Sequence, residues 1–292
     1  MTDRAFSTPS ELTDSFAELG HIKAARPLYK QILLGVIAGA FVALATQGAN
    51  VLAYGITDNI SLARALSGAM FASALIMVII AGAELFTGNT LMVISVIKKR
   101  ITLLAMLRSW GLVYFGNFLG AMFIVLMIVN SSQFDLTGGT LGGYTIRVAV
   151  SKTGLTFSSA LIFGILCNWL VCLGVWMAYS AQDITGKIVA IFFPIWLFVA
   201  SGFEHSIANM YTIPAGILAS RNPYWVQAAI DLGVSAEGLA NLSWQSFLLN
   251  NLLPVTLGNI IGGAVFVGIT YLVAYGKLDP RHRVKKKLTS NR

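Results

Sequence analysis

The sequence predicts an all-α membrane protein with six transmembrane helices in an inverted 3+3 repeat, in which helices 2 and 5 are broken. Three observations lead to this prediction. The composition is too apolar for a soluble domain, six long apolar segments follow one another, and one polar motif interrupts both the second and the fifth. Of the 292 residues, 56% are hydrophobic and 11% are charged, whereas a soluble domain carries about 25% charged residues.

Each predicted span is long enough to cross the membrane. A transmembrane helix needs about 20 apolar residues to cross roughly 30 Å of hydrocarbon. The fifth segment also carries Glu204 and His205 near its middle. Polar connectors occupy residues 130–155 and 221–249. In chain order, the six segments are Gln31–Tyr54, Ala65–Ile97, Ser109–Val129, Thr156–Ser180, Lys187–Ser220 and Asn250–Tyr275.

The positive charges predict the orientation. Sixteen of the twenty Lys and Arg residues fall on one side if both termini lie there, and the side rich in Lys and Arg is normally cytoplasmic. We therefore expect a multi-pass protein of the cell (inner) membrane with both termini in the cytoplasm. Its expected parts are a cytoplasmic N-terminal segment, 1–27, a six-helix transmembrane domain, 28–276, and a basic cytoplasmic tail, 277–292. The tail is expected to contact anionic lipid head groups, and no nucleic-acid partner is expected.

Two motifs occur once in each half of the chain. Residues 82–89 read GAELFTGN and residues 202–209 read GFEHSIAN, which share the pattern G-x-E-x-x-x-x-N. Residues 113–120 and 255–262 share the pattern V-x-x-G-N-x-x-G. Since each half contributes three spans, an odd number, the two copies are predicted to lie in opposite orientations.

The motif in spans 2 and 5 predicts broken helices along a transport path. Free backbone groups cost several kcal/mol each in hydrocarbon, so non-helical segments persist only where protein buries them or a cavity wets them. Paired interruptions in two halves of a transporter indicate its binding site. The free N–H groups at the start of a half-helix favour anions. The sequence therefore predicts passage of small anions.

The polar residues of the breaks have competing interpretations. A bare carboxylate would repel an anion, so Glu84 and Glu204 are predicted to accept hydrogen bonds from the backbone that the breaks set free. Asn89 and Asn209, which end the same motif, are assigned the same structural role. Asn117 and Asn259, in the second motif, either contact the substrate or cross-link closely packed helices. In the second case they would hold the spans together around the breaks.

His205 is the strongest functional candidate because it is the only histidine in a span. An ionisable group inside the membrane indicates a functional site, and histidine, with an ordinary pKa of about 6.5, exchanges protons near neutrality. Thr87 is either an internally satisfied hydroxyl or a donor to the path. Lys152 either attracts anions to an outer vestibule or extends to the membrane surface as an anchor.

Other classes of function lack the residues they need. One buried histidine and two glutamates at separate breaks fall short of a metal site, and no nucleotide-binding or HExxH motif occurs. We therefore expect neither metal, cofactor nor enzymatic activity. The alternative is a channel for water or neutral solutes, although no Asn-Pro-Ala triplet is present.

From about residue 28 to residue 276, the sequence resembles the formate/nitrite transporter family. The motifs that carry the resemblance are ELFTGN at 84–89, KT at 152–153, NWLVCL at 168–173, SGFEHSIANM at 201–210 and NLLPVTLGN at 251–259. The resemblance implies a homopentamer of aquaporin-like protomers, each with its own pore. It also implies formate, nitrite or hydrosulfide as substrate, and we expect formate.

The resemblance assigns a role to each matching position. His205 is the gating and proton-exchanging residue, Thr87 lies opposite and hydrogen-bonds it, and Lys152 is the vestibule lysine. The residues before Leu28 depart from the family pattern, so no gating role is predicted for them. Apolar rings would stop a bare anion but pass a neutral acid, so flux should rise as the pH falls. The remaining assignments are Leu75 with Phe198 at an inner constriction, Leu85 with Phe86 at an outer one, and Asn168 with Asn259 along the path between them.

Overall fold

The computed structural model describes residues 6–276. The predicted basic tail, 277–292, and Arg4 lie outside the described residues. Within them the regular structure is helical, with two short 3₁₀ turns at Thr90–Met92 and Ser132–Asp135 and an isolated β-bridge between Phe6 and Ala181. The α-helices are α1 Pro9–Ala25, α2 Leu28–Ala53, α3 Ile60–Ile80, α4 Phe86–Asn89, α5 Val93–Ile97, α6 Leu103–Val129, α7 Thr140–Thr153, α8 Phe157–Ser180, α9 Ile184–Ala200, α10 Ser206–Ala219, α11 Pro223–Asp231, α12 Ala236–Asn241, α13 Leu253–Ile260 and α14 Thr270–Tyr275.

Five helices are long and apolar enough to cross a membrane. They are α2, α3, α6, α8 and the continuous helix Ser246–Tyr275, in which π-helical turns flank α13. Helices α9 and α10 are 17 and 14 residues long and meet end to end across a break, and the sixth crossing that they would make stays a prediction. The prediction that helices 2 and 5 are broken is therefore confirmed: α3 stops before α4, and α9 stops before α10.

Both breaks are built by the same backbone turn. Gly82 and Gly202 adopt left-handed φ angles of +84° and +75°, which glycine reaches without the steric penalty of a Cβ atom. The next N–H closes the preceding helix: Ala83 N donates to Val78 O at 2.9 Å, and Phe203 N to Phe198 O at 3.1 Å. This is the usual glycine-terminated helix end, and it explains the glycine at the start of each motif copy.

The second motif brings helices into close contact in each half. On α6, a Cβ atom added to Gly116 would lie 2.6 Å from Ile32 O of α2. On α13, one added to Gly258 would lie 2.9 Å from Ile165 N of α8. Small residues let helices approach this closely, so the two halves use the same packing. The opposite orientation of the halves stays a prediction.

Helix α1 packs directly on the transmembrane helices. Phe16 stacks on Trp176 of α8 with ring centroids 4.9 Å apart. The Ser95 hydroxyl lies within hydrogen-bond distance of the Phe16 and Ala17 carbonyls, at 3.2 and 2.9 Å. The predicted boundary at residue 28 therefore separates α1 from α2 along the chain, while α1 itself is bound to the helices around the first break.

Candidate functional site

Asn117 holds the first break in place. Its Oδ1 accepts a hydrogen bond from Phe86 N at 3.0 Å, where α4 begins. Its Nδ2 donates to Gly35 O at 2.8 Å and to Glu84 O at 2.9 Å. One side chain thus satisfies backbone groups on both sides of the break and ties them to α2.

Asn259 does the same at the second break. Its Oδ1 accepts from Ser206 N at 2.9 Å, and its Nδ2 donates to Gly164 O at 2.8 Å and Glu204 O at 3.0 Å. Asn117 and Asn259 are both fully buried. Of the two interpretations left open by the sequence, helix cross-linking is the one observed. The expected role of Asn259 along the path is not supported, because its amide is fully occupied by the backbone.

The Glu84 side chain binds cations rather than backbone N–H groups. Its carboxylate forms ion pairs with Lys23, at 2.9 Å, and with Arg26. Lys23 Nζ also donates to Asn89 Oδ1 at 2.6 Å. The prediction that this carboxylate accepts hydrogen bonds from freed backbone is wrong. Asn117 already supplies the break with its backbone partners, so the buried carboxylate is balanced by positive charge instead.

Glu204 is also paired, with a different set of partners. Lys152 Nζ lies 2.7 Å from Glu204 Oε1. Asn209 Nδ2 and Asn251 Nδ2 donate to Glu204 Oε2 at 2.6 and 3.3 Å. Here too the predicted backbone partners are replaced by side chains. Lys152 therefore turns towards the second break and does not extend to the membrane surface.

Lys23 and Arg26 were missed as site residues, although the sequence held a signal for Lys23. Lys23 lies five residues before the start of α2 at Leu28, and Lys152 lies five residues before the start of α8 at Phe157. The repeat therefore extends upstream of the spans, because α1 and α7 each bring a lysine to the glutamate of one break. This correspondence was obscured because Lys23 and Glu84 are 61 residues apart in the chain, whereas Lys152 and Glu204 are 52 residues apart.

The two breaks meet at Thr87 and His205. Thr87 Oγ1 lies 3.0 Å from His205 Nε2, and both side chains are buried, so the predicted contact is present. His205 also begins α10, and its Nδ1 accepts a hydrogen bond from Ala208 N at 3.1 Å. Because an N–H donor faces Nδ1, the ring proton is assigned to Nε2, which then donates to Thr87. These bonds define a neutral imidazole.

Each break adjoins a cavity. The first cavity, about 130 Å³, is lined by Lys23, Arg26 and Glu84 and is called the Lys23 cavity. The second, about 170 Å³, is lined by Lys152 and His205 and is called the Lys152 cavity. Both cavities are thus lined by a lysine, and His205 of the central contact lines the second. Under the predicted orientation, the Lys23 cavity faces the cytoplasm.

The apolar residues are grouped differently from the expectation. Leu75 and Leu85 both line the Lys23 cavity, whereas Phe198 lines the Lys152 cavity. There Phe198 packs edge-on against Phe71, with ring centroids 5.6 Å apart. Phe198, expected beside Leu75, therefore lies with Lys152, whereas Leu75 and Leu85 lie with Lys23. The members of the predicted inner pair line different cavities, and which cavity faces the cytoplasm stays a prediction.

Phe86 and Asn168 line neither of these two cavities. Phe86 packs against Trp110 and Tyr114, with centroids 6.0 and 4.8 Å away. Asn168 is fully buried and belongs to the lining of neither cavity. Its Nδ2 donates to Thr87 O at 3.2 Å and Asn259 O at 2.6 Å. Asn168 therefore joins Thr87 to Asn259, and its position along the path stays a prediction.

No group of three or more His, Cys, Asp or Glu side chains that could hold a metal occurs within residues 6–276. Besides His205, the thiol of Cys172 contacts Thr87, and its Sγ lies 3.4 Å from Thr87 O. Chemically, the site offers buried hydrogen-bond donors, one neutral imidazole and a paired cation at each end.

Comparison with known proteins agrees with this geometry. Residues 10–273 match the family described as formate/nitrite transporter. The chain is 40% identical to the formate channel FocA of Haemophilus influenzae, covering 90% of this chain and 92% of that protein. It is 37% identical to the uncharacterized transporter YrhG of Bacillus subtilis, covering 98% and 100%.

A solved structure, a pentameric formate channel with formate bound, matches with a TM-score of 0.76 and 36% identity. The match covers 85% of this chain and 97% of that one. Together with the apolar helices, these matches describe a multi-pass membrane protein whose relatives are channels and transporters. The chain belongs to the formate/nitrite transporter family.

Proposed function

We propose that this protein passes small monovalent anions through the cell (inner) membrane, with formate as the main substrate and nitrite or hydrosulfide as further candidates. Both termini lie in the cytoplasm, and the protein assembles as a homopentamer with one path in each protomer. The formate-channel relatives and the pentameric, formate-bound neighbour support this assignment.

One observation carries the proposal: Thr87 and His205 contact each other where the two breaks meet, and each break has a cation–glutamate pair whose lysine lines a cavity. The lysines raise the local concentration of anions at either mouth. Because each lysine is already paired with a glutamate, it attracts an anion without holding it tightly. Leu75, Leu85, Phe71 and Phe198 then form apolar walls between the cavities and the centre. A bare anion crosses such walls only at a high cost in solvation free energy, whereas a neutral acid crosses cheaply.

Proton exchange at His205 would neutralise the anion at the centre. In the resting ring Nε2 carries the proton, so an additional proton must be transferred from a hydronium ion to Nδ1, leaving water and displacing the bond from Ala208 N. The imidazolium then gives the Nε2 proton to the anion, and the products are a neutral acid and a neutral ring. This sequence makes flux proton-coupled, and acidification should increase it.

A liposome assay tests the proposal. Purified protein is reconstituted, and uptake of formate, nitrite and hydrosulfide is followed at about pH 7.5 and about pH 5.5, on either side of the ordinary histidine pKa. Water and glycerol permeability are measured in parallel. Selective anion uptake that increases in acid supports the proposal and ranks the substrates. Water or glycerol flux without anion uptake would assign the protein to the neutral-solute class instead.

A further inference from the structure

One buried amide of the Lys152 cavity has no partner in the protein. Asn50, near the end of α2, is 7% exposed, and its Nδ2 has no hydrogen-bond partner among residues 6–276. Its Oδ1 likewise accepts none from the described residues. Asn117, Asn251 and Asn259, which are fully buried, all bond through their amides. Burying an amide without partners costs on the order of 1–3 kcal/mol, so a group from the cavity is the expected partner.

The position of Asn50 is next to the path. Asn50 lines the Lys152 cavity together with Thr46, Thr212 and His205. Thr46 Oγ1 donates to Val42 O at 2.7 Å, and Thr212 Oγ1 donates to Ala208 O at 3.0 Å. Both hydroxyl protons are therefore directed into their own helices, and the hydroxyl oxygens keep only acceptor capacity. A ligand beside Thr46 and Thr212 therefore meets hydrogen-bond acceptors. Asn50 Nδ2 provides a hydrogen-bond donor next to them.

This set of groups matches a carboxylic acid better than a carboxylate. A primary amide presents one donor side and one acceptor side. A carboxylic acid can accept from the amide N–H through its carbonyl oxygen and donate its O–H to the amide oxygen, which gives two parallel hydrogen bonds. A carboxylate has no proton to donate, so the amide oxygen and the two hydroxyl oxygens would repel it. Hydrosulfide and its acid have no such pair of oxygens.

We propose that Asn50 forms a substrate subsite in the Lys152 cavity that binds the small carboxylic acid by its donor–acceptor edge. This inference rests on the proposed function and deepens it, because it names the residue that favours formate over hydrosulfide. The cavity of about 170 Å³ has room for such an acid beside water. Lys152 gathers the anion, Asn50 binds the protonated form, and His205 lines the same cavity.

The test compares Asn50→Leu and Asn50→Ala with wild type in reconstituted liposomes. Leu keeps the approximate size of Asn without its polar atoms, and Ala keeps the helix with a smaller side chain. Ser67→Ala is the matched control, since Ser67 lines the same cavity but its hydroxyl already donates to Ala49 O at 3.3 Å. Formate uptake is measured over a range of concentrations, and assembly is checked by size-exclusion chromatography.

Loss of two hydrogen bonds should raise the half-saturating formate concentration about five- to tenfold in both variants, with the maximal rate little changed. Ser67→Ala should behave as wild type, and any hydrosulfide uptake should stay within about twofold. Unchanged half-saturation in both variants would overturn the inference, because the amide would then contact water alone. Failure of both to assemble would assign Asn50 to packing and also overturn it. Absence of formate uptake by wild type would instead reject the proposed function.

Discussion

The two broken helices share one backbone arrangement but differ in the three residues that follow the glutamate. Residues 85–87 are Leu-Phe-Thr, and residues 205–207 are His-Ser-Ile. Leu85 is the N-cap residue of α4 and makes no side-chain hydrogen bond to the helix. His205 is the N-cap residue of α10, and its ring accepts one from Ala208 N. The hydrogen-bonding groups Thr87 and His205 come from non-equivalent positions of the two copies. The scaffold is thus duplicated, while the chemistry at the centre is not.

The charges around the two glutamates differ as well. Glu84 faces Lys23 and Arg26, so two cations balance one carboxylate. Glu204 faces one cation, Lys152, within residues 6–276, and its other oxygen accepts from two asparagine amides. The first break therefore has an additional positive charge. The second break depends on a single lysine for its neutrality.

The largest effect is expected from replacing the asparagine that holds the break in each half of the molecule. Asn117→Leu and Asn259→Leu should each leave three backbone groups without their partner. Each such group costs about 1–3 kcal/mol when buried, so both variants should lose several kcal/mol of stability. Yield of assembled protein and thermal unfolding in detergent measure this loss.

The exposed Asn130, at the end of α6, supplies the control for these variants. Its Nδ2 donates to Leu126 O at the surface, so Asn130→Ala should change stability by less than about 0.5 kcal/mol. If one of the variants Asn117→Leu and Asn259→Leu assembled normally while the other did not, the hydrogen bonds of Asn117 and Asn259 would not play equivalent roles in the two breaks.

The next largest effect concerns the charge difference. Lys152→Met leaves Glu204 buried without a cation, whereas Lys23→Met leaves Arg26 beside Glu84. An unpaired buried charge costs roughly 3–5 kcal/mol, so formate flux should fall on the order of tenfold or more in Lys152→Met. In Lys23→Met the fall should be about two- to threefold, because the remaining cation still balances the carboxylate.

Initial rates of formate uptake into liposomes provide this comparison. Arg221→Met, which removes an exposed cation away from both cavities, should keep normal flux. Adding Glu204→Gln to Lys152→Met should recover part of the loss, since no bare carboxylate remains. Equal losses in Lys23→Met and Lys152→Met would contradict the proposed charge difference.

The smallest effect is expected at Thr87. Thr87→Val removes the hydroxyl that contacts His205 at 3.0 Å while keeping the shape of the side chain. Loss of one hydrogen bond of about 1 kcal/mol should lower formate uptake about fivefold, and Thr87→Ser should retain nearly full uptake. A serine variant as slow as the valine variant would show that the methyl group, and not the hydroxyl, matters at this position.

Much of the scaffold could be predicted from the sequence because its elements are periodic or repeated. The apolar segments, the two breaks and the glycine turns at Gly82 and Gly202 follow from residue patterns along the chain. The choice between substrate contact and cross-linking at Asn117 and Asn259 could not be made. Hydrogen-bond partners such as Gly35 and Gly164 come from other helices, and sequence spacing does not identify them.

The site was predicted less completely, for a related reason. His205 and Thr87 were identified because ionisable and polar groups are rare inside spans. Lys23 and Arg26 were missed because they lie in a polar segment where cations are common, and only the folding of α1 brings them to Glu84. Leu75 and Phe198 were paired although they line different cavities. Only three-dimensional packing determines which cavity each side chain lines.

The central claim, that anions exchange a proton at His205, is tested most directly by formate uptake into liposomes at about pH 7.5 and about pH 5.5. Wild type and His205→Ala are compared, and size-exclusion chromatography checks the assembly of both. Wild-type uptake should rise at the lower pH, and the variant should lose this increase. A correctly assembled His205→Ala protein that kept the full pH-dependent uptake would contradict proton exchange at His205.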